Sequence, residues 1–282
     1  MKDIDQLVSR FERIARALPE EVLHGHASLE DEVLEELIGP HDDRLLGYYT
    51  RQGIEAALEA YGIFDTLRAR GYARFDVAFD LQTHAHALRV NGDGLRVCEV
   101  RLRRARGVED PCFAEYQRAY APDLLVVEWL SLADPRASFT ADRPRLPGQT
   151  TPGSGIGDEV MVLLYLCARR LGMHGVVDVP ERFHNAVFYR RRTHFFDPGF
   201  EGLFMALQRL LERHPLSEVS WALEEDRVRD ARTGEVLRWA AREQALPIDP
   251  RLDHYFELPA WRRARSHARS AVEPIIVPRG EG

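Results

Sequence analysis

The feature that most constrains the fold is an uninterrupted run of nine apolar residues, Val160 to Ala168, within a chain of 282 residues. The run is less than half of the ~20 residues that a membrane-spanning helix needs. It therefore predicts a helix of the protein interior, from Asp158 to Leu171, which ends at Gly172. A helix on one side of a sheet usually keeps a polar stripe, and this helix keeps almost none. Both of its sides must be covered, and the N-terminal helices or a partner subunit are the two candidates for the far side.

The N-terminal region, residues 1–71, is predicted to be a helical extension packed on the main module. Apolar residues from Ile4 to Leu18 fall on one helical stripe, and Pro19 ends it. A second helix is expected from Ser28 to Ile38, where Ser28 supplies the cap. Helical segments are expected to continue from about residue 42 to residue 70, with breaks near Gly53 and Gly62.

Strand spacing begins after this region and predicts a mixed α/β fold with a mainly antiparallel sheet flanked by helices. Residues 75–81 and 84–90 alternate between apolar and polar side chains. The turn sequence Asn91-Gly92-Asp93-Gly94 predicts a hairpin with a strand from Leu95 to Leu102. A further strand is expected from Leu124 to Leu132.

The elements expected after the central helix are shorter. They are a strand at Val176–Val179, a helix at Phe183–Arg191, a strand at His194–Phe196, a helix at Gly199–Arg213 and a hairpin at Trp221–Trp239. The chain beyond Pro247 is rich in arginine and proline and shows little periodicity. We therefore expect residues 72–200 to form the main module, and residues 201–282 to complete the fold with a helix, a β-hairpin and an Arg/Pro-rich tail.

The most informative segment for function is the glycine-rich stretch Gly153-Ser154-Gly155-Ile156-Gly157-Asp158, which leads directly into the apolar helix. Glycines at this spacing let backbone N–H groups turn inward, and the helix N-terminus adds free donors and a positive partial charge. Together they predict a site for a phosphate or pyrophosphate. The loop lacks the Gly-Lys-Ser/Thr ending of a Walker A motif and the tight G-x-G-x-x-G of a dinucleotide fold. The alternative interpretation is a mobile loop before a helix that Asp158 caps.

This loop and the segment after it resemble the GNAT superfamily of N-acetyltransferases. Gly155 and Gly157 match the two loop glycines of that superfamily, while Asn185, Ala186 and Tyr189 match its second motif. The resemblance covers residues 72–200 and implies a GNAT-like fold. It also implies transfer of an acyl group from a CoA thioester to an amine, with acetyl-CoA or another acyl-CoA as co-substrate.

The resemblance places the acyl donor against the loop, the strand before it and the helix after it. The expected cofactor-binding residues are Gly153, Ser154, Gly155, Ile156, Gly157, Asp158, Leu130, Leu132 and Asn185. Tyr189 takes the position of a general acid, and its alternative is an ordinary core tyrosine. Glu128 interrupts an apolar strand and is the expected general base, with Glu99 as a second candidate. The alternative for Glu128 is a salt-bridged surface glutamate.

Two other functions stay open. Acyl-homoserine-lactone synthases and related acyl-amino-acid synthases share this fold, and Phe75–Asp80 with the Arg101-Leu102 pair faintly resembles their strands. The second is a non-catalytic module that binds a CoA-like ligand or a protein partner. Pro152 favours this module, because the superfamily has Gln or Arg there and proline has no N–H to donate. The long connection between the fourth strand and the loop favours it as well.

Charge and composition limit the partners. The net charge is −7, and residues 1–60 alone carry −8, which disfavours nucleic acid and suits a cationic small-molecule or peptide amine. Three scattered cysteines predict no disulfide framework. No metal is expected, although His84 and His86 share a strand face. With no secretory leader or membrane span in the sequence, we expect a cytoplasmic protein, and a homodimer is one way to cover the apolar helix.

Overall fold

The computed structural model describes residues 4–25, 43–82, 84–190 and 192–280. The helix predicted at Ser28–Ile38 lies outside the described residues. The chain forms two compact units, each assembled from separate stretches of sequence. Unit 1 contains residues 1–104, 126–136 and 153–171, and unit 2 contains residues 105–125, 137–152 and 172–282. The predicted division of the chain at residues 71 and 200 stays a prediction.

The main sheet has seven strands in the order β1-β2-β3-β4-β5-β8-β6, and a small second sheet pairs β7 with β9. The strands are β1 (Phe75–Leu81), β2 (His86–Gly92), β3 (Leu95–Arg106), β4 (Asp123–Leu132), β5 (Gly175–Asp178), β6 (His194–Phe195), β7 (Val228–Asp230), β8 (Gln244–Pro247) and β9 (Pro274–Ile276). In unit 1, β1 and β3 both pair antiparallel with β2. In unit 2, β5 and β6 both pair antiparallel with β8. The expected mixed α/β fold with a mainly antiparallel sheet is confirmed.

Eleven α-helices lie within the described residues, together with a 3-10 turn at Gln208–Glu212. They are α1 (Ile4–Ala17), α2 (Glu20–His24), α3 (Arg51–Ala60), α4 (Ile63–Arg68), α5 (Ala114–Tyr120), α6 (Gly157–Arg170), α7 (Phe183–Tyr189), α8 (Pro198–Leu207), α9 (Leu216–Glu224), α10 (Pro250–Glu257) and α11 (Pro259–Ala271). In the part of the chain that is described, none of these helices has the length and apolar character needed to span a membrane.

Helix α6 carries the apolar run Val160–Ala168, and unit 1 buries this run as expected. Val160, Leu164 and Ala168 are among its buried residues. Helix α1 covers the far side of α6, where Arg169 is 2.7 Å from the Glu12 carboxylate and Arg170 donates to the Ala15 carbonyl. Helix α1 therefore packs against α6 within unit 1.

The break expected near Gly53 lies at Thr50, because α3 begins at Arg51 and runs through Gly53. Thr50 caps the helix, since its hydroxyl accepts a hydrogen bond from the Gly53 amide at 3.0 Å. A side chain at Gly53 would overlap the backbone of Leu23 at the end of α2. Glycine is needed here because two helices approach closely, and the residues next to Gly53 in the sequence do not reveal that contact. The break at Gly62 is confirmed, because Gly62 has φ +77° immediately before α4.

The hairpin predicted at Trp221–Trp239 is correct only from Val228 to Leu237, where Arg229 forms an antiparallel bridge with Val236. Residues 216–224 form helix α9, whose buried Val219, Ala222 and Leu223 follow helical rather than strand spacing. A turn does occur near Gly234, but β7 finds its strand partner in β9, more than 40 residues later. Local alternation cannot identify a partner at that distance.

The C-terminal tail is folded rather than irregular. Pro250 and Pro259 stand in the first turn of α10 and α11, where proline is favoured because its missing N–H has no intrahelical partner anyway. Helix α11 carries the basic run that follows Trp261. Trp261 is buried and donates a hydrogen bond to the Phe196 carbonyl at 3.1 Å, whereas Arg262 and Arg263 are exposed. The basic run is thus a solvated helix face anchored by one aromatic side chain.

Candidate functional site

The glycine loop of unit 1 is fixed to the end of strand β4. The Ser154 amide donates to the Leu132 carbonyl at 3.2 Å, and Gly153 forms an isolated antiparallel bridge with Ala133. The sequence places about twenty residues between strand and loop, and the fold returns the loop to the strand end. The long connection therefore does not separate the loop from β4.

Four backbone amides in this loop stay available to a ligand. Gly155 has φ +70°, a left-handed conformation that favours glycine, and it reverses the chain just before α6. Within the described residues, the N–H groups of residues 155–158 have no hydrogen-bond acceptor. They lie at the N-terminus of a 14-residue helix, where the backbone dipoles favour negative charge.

A guanidinium group stands beside these amides. A side chain at Gly155 would overlap the end of Arg70, so the Arg70 guanidinium lies directly over this residue. Asp134 holds that guanidinium, with 3.3 Å between Arg70 Nη1 and Asp134 Oδ2. The Tyr72 hydroxyl donates to the other oxygen of Asp134 at 2.8 Å. Burial and the hydrogen bond to Asp134 raise the pKa of Tyr72, so this phenol stays neutral. We call residues 154–158 together with Arg70 the glycine cradle.

Ser154 adds an unsatisfied polar group to the glycine cradle. Its side chain is fully buried, and its Oγ has no hydrogen-bond partner among the described residues. Buried hydroxyls normally find a partner, so each exception needs an explanation. Arg70 could not be identified as a site residue from the sequence. Arginine is too common in this chain for one residue to stand out, and Arg70 lies 85 positions before Gly155.

The predicted acid–base residues on β3 and β4 are paired with arginines, and the end of β4 is bound to the loop. The Leu132 carbonyl accepts the Ser154 amide, so the end of the strand is tied to the loop. Glu128 is exposed and accepts a hydrogen bond from Arg103 at 2.7 Å, which matches the salt-bridged alternative. Glu99 forms ion pairs with three arginines. Burial of Glu99 opposes its ionisation, but the arginines outweigh burial and lower its pKa. The role of Glu128 as a base stays a prediction.

Unit 2 contains Asn185 and Tyr189, both on helix α7. The structure thus places them in a different unit from the glycine cradle. Burial, and secondarily the charge of Asp178, raise the pKa of Tyr189, which keeps this phenol protonated at neutral pH. The neighbouring His184 is neutral, because burial and the charge of Arg182 lower its pKa to about 4.

Asp178 is a titratable group that the sequence analysis missed. It ends strand β5, and burial raises its pKa from 3.8 to about 7, although a hydrogen bond from Gln244 opposes the shift. The Gln244 amide nitrogen donates to Asp178 at 3.2 Å, and the Thr193 hydroxyl lies 3.2 Å from the Gln244 oxygen and 3.1 Å from the Tyr189 carbonyl. We call Asp178, Gln244, Thr193 and Tyr189 the acid cluster. A carboxyl group that titrates near neutral pH beside a protonated phenol is a typical acid–base arrangement.

Metal chemistry receives no support from the geometry. Across residues 4–25, 43–82, 84–190 and 192–280, no three His, Cys, Asp or Glu side chains are grouped to hold a metal ion. His86, one of the two strand histidines, uses its Nδ1 to accept the Leu46 amide at 2.8 Å.

Comparison with known proteins adds little to this geometry. The chain matches no protein-family model, and no curated protein matches it. A solved structure of FeeM, an N-acyl amino acid synthase from uncultured soil microbes, is similar over 51% of this chain and 80% of that chain, with 13% identity and a TM-score of 0.27. A likeness of that size carries no argument about activity. The fold class stated above rests on strand order and register.

Proposed function

We propose that this chain is an acyltransferase that moves an acyl group from a CoA thioester to an amine. The observation that carries the proposal is the glycine cradle, where four unpaired amides at a helix N-terminus meet the Arg70 guanidinium. Such a site suits a pyrophosphate, because several N–H donors and one fixed positive charge converge on it. The donor is acetyl-CoA or another acyl-CoA, and the acceptor is a small-molecule or peptide amine.

The resemblance supplies the roles of the reacting groups. Tyr189 acts as general acid toward the leaving thiolate, which suits a phenol that stays protonated at neutral pH. Within unit 2, Asp178 is a carboxyl group whose titration suits a proton acceptor better than that of Glu128 does in unit 1. Its pKa lies near neutral pH, where a base is most effective, whereas Glu128 is held by Arg103.

The first test measures the affinity of coenzyme A by calorimetric titration of the wild type and of Arg70→Gln. We expect the substitution to weaken binding about tenfold or more, since a charge-assisted hydrogen bond is worth ~1.5–3 kcal/mol. Arg68→Gln is the matched control, because Arg68 lies two residues away and pairs with Glu59 and Asp65 instead.

Thermal unfolding of both variants excludes a simple loss of fold, which matters because Arg70→Gln also removes a partner of the buried Asp134. A wild type that does not bind coenzyme A would overturn the proposal. Equal affinities in the two variants would show that the phosphate groups bind elsewhere.

The second test asks whether the protein catalyses acyl transfer and, with Tyr189→Phe, whether Tyr189 takes part in the reaction. With acetyl-CoA, dodecanoyl-CoA and a panel of amines, thiol release is followed with a thiol reagent. We expect the substitution to lower kcat by ten- to a hundredfold and to leave coenzyme A affinity unchanged, because phenylalanine keeps the packing of the ring and lacks only the hydroxyl group that donates the proton. Tyr165→Phe on α6 serves as the control and keeps full activity.

A non-catalytic binding module is the second candidate function. Pro152 favours it, since this buried residue cannot donate a hydrogen bond where the resembled superfamily has Gln or Arg. Coenzyme A binding by a wild type that releases no thiol with any donor would support the module over the enzyme.

A further inference from the structure

Unit 1 contains a cavity of about 350 Å³. Its walls come from α1 to α4, from the face of β2 and β3 that carries Leu88 and Val100, and from α6 with Leu164. Protein interiors are close-packed, and few voids exceed the size of a water molecule. A volume above 300 Å³ lies instead in the range of small-molecule sites. Nothing in the glycine cradle or the acid cluster requires such a space.

The cavity lies along helix α6. Its lining includes Ile156 at the start of α6 and Arg170 at the end of that helix. These residues are about 21 Å apart along the axis, since an α-helix rises ~1.5 Å per residue. A volume of 350 Å³ drawn out over that length suits one unbranched chain better than a compact ring system.

Most of the lining is apolar, and the charged side chains in it are Glu20, Arg169 and Arg170. The other polar side chains that α6 and β3 contribute are the thiols Cys167 and Cys98, and burial raises their pKa values to about 11 and about 12. Tyr49 also lines the cavity, and burial and the neighbouring Cys167 raise its pKa further. All three groups are therefore uncharged at neutral pH. Such a wall favours a hydrocarbon over a polar or charged ligand.

One residue connects the cavity with the glycine cradle. Ile156 lines the cavity, and its own backbone amide is one of the four unpaired N–H groups. A ligand with an anionic end at the cradle and an apolar chain in the cavity would therefore satisfy both features at once. Neither feature alone indicates a ligand of this kind.

We propose that the cavity binds the hydrocarbon chain of a fatty acyl group, so that the preferred donor is a long-chain acyl thioester rather than acetyl-CoA. The inference rests on the proposed function for the thioester end. The hydrocarbon site itself stands on the cavity alone. A free fatty acid presents the same chain, so the test includes both ligands.

The test compares three ligands by calorimetric titration: acetyl-CoA, dodecanoyl-CoA and dodecanoic acid. The wild type is expected to bind dodecanoyl-CoA at least a hundredfold more tightly than acetyl-CoA, because each buried methylene group adds to the affinity. Ala57→Phe fills the cavity from α3 and should abolish this preference while leaving acetyl-CoA affinity unchanged. Ala60→Phe is the matched control, since Ala60 is exposed on the same helix outside the cavity lining.

The outcomes separate the two proposals. Equal affinity for both thioesters would overturn the hydrocarbon site and leave the acyltransferase proposal standing. Dodecanoic acid that binds the wild type but not Ala57→Phe, in a protein with no affinity for coenzyme A or for either thioester, would support the hydrocarbon site and overturn the acyltransferase. If thermal unfolding shows that Ala57→Phe does not fold, Cys167→Leu narrows the cavity from α6 and takes its place in the comparison.

Discussion

Replacing Gly202 by alanine is expected to lower the free energy of unfolding by about 3 kcal/mol. Gly202 lies inside helix α8, where it faces helix α11. An added methyl group would overlap the Arg265 carbonyl oxygen and come within 2.7 Å of the Arg269 amide nitrogen. These are backbone atoms of a helix, so the clash cannot be relieved by turning a side chain. It outweighs the gain of ~1 kcal/mol that alanine usually brings to a helix interior.

Urea unfolding measures this effect, and Gly157→Ala is the matched control. Gly157 is the first residue of α6, and an added methyl group there would make only an ordinary contact, at 3.8 Å from a Leu132 methyl carbon. The control should retain wild-type stability or gain slightly. If Gly202→Ala were as stable as the wild type, the close crossing of α8 and α11 would be wrong.

Replacing Asp178 by asparagine is expected to stabilise the protein by about 4 kcal/mol above pH 7 and to change little below pH 4. Burial raises the pKa of Asp178 from 3.8 to about 7, so the folded protein keeps a proton that the unfolded chain has lost. The stability of the wild type therefore falls by ~1.4 kcal/mol per pH unit as the pH rises from 4 to 7. Asparagine keeps the acceptor for Gln244 and cannot ionise, so the variant escapes this loss.

The measurement is the free energy of unfolding of both proteins at pH 4, 6 and 8. The exposed Asp253 of α10 provides the control Asp253→Asn, whose difference from the wild type should not grow with pH. A difference at Asp178 that stays constant from pH 4 to pH 8 would show that this carboxyl group ionises normally. In the acyltransferase proposal, the same variant also removes the candidate base, so lost turnover in a more stable protein would identify a functional carboxylate.

Elements with a strong local signal were predictable from the sequence. The Asn91-Gly92-Asp93-Gly94 turn and the alternation on both sides of it specify the β2–β3 hairpin with few alternatives. The apolar run of α6 likewise required cover on both sides, and helix α1 supplies it. The hairpin and the helical state of the apolar run are determined by residues close in sequence, whereas the identity of the covering helix is not.

Features that depend on distant partners were not predictable. The partner of β7 is β9, and the glycine at position 53 is explained only by the nearby backbone of Leu23. The residues of the candidate site also differ in whether the sequence alone could identify them. The loop glycines are evident in the sequence, whereas Arg70 and Asp178 gain their importance from the residues packed around them.

The interleaved segments of the two units have a consequence for synthesis of the chain. Unit 1 needs residues 126–136 and 153–171 in addition to residues 1–104. At ~5–20 residues per second, a ribosome takes roughly 3–13 s to add the 67 residues between 104 and 171. During that interval the β1–β3 hairpins exist without α6, and their apolar face is open to chaperones or to aggregation. No single proteolytic cut or truncation releases either unit whole, so expression of fragments is expected to give insoluble protein.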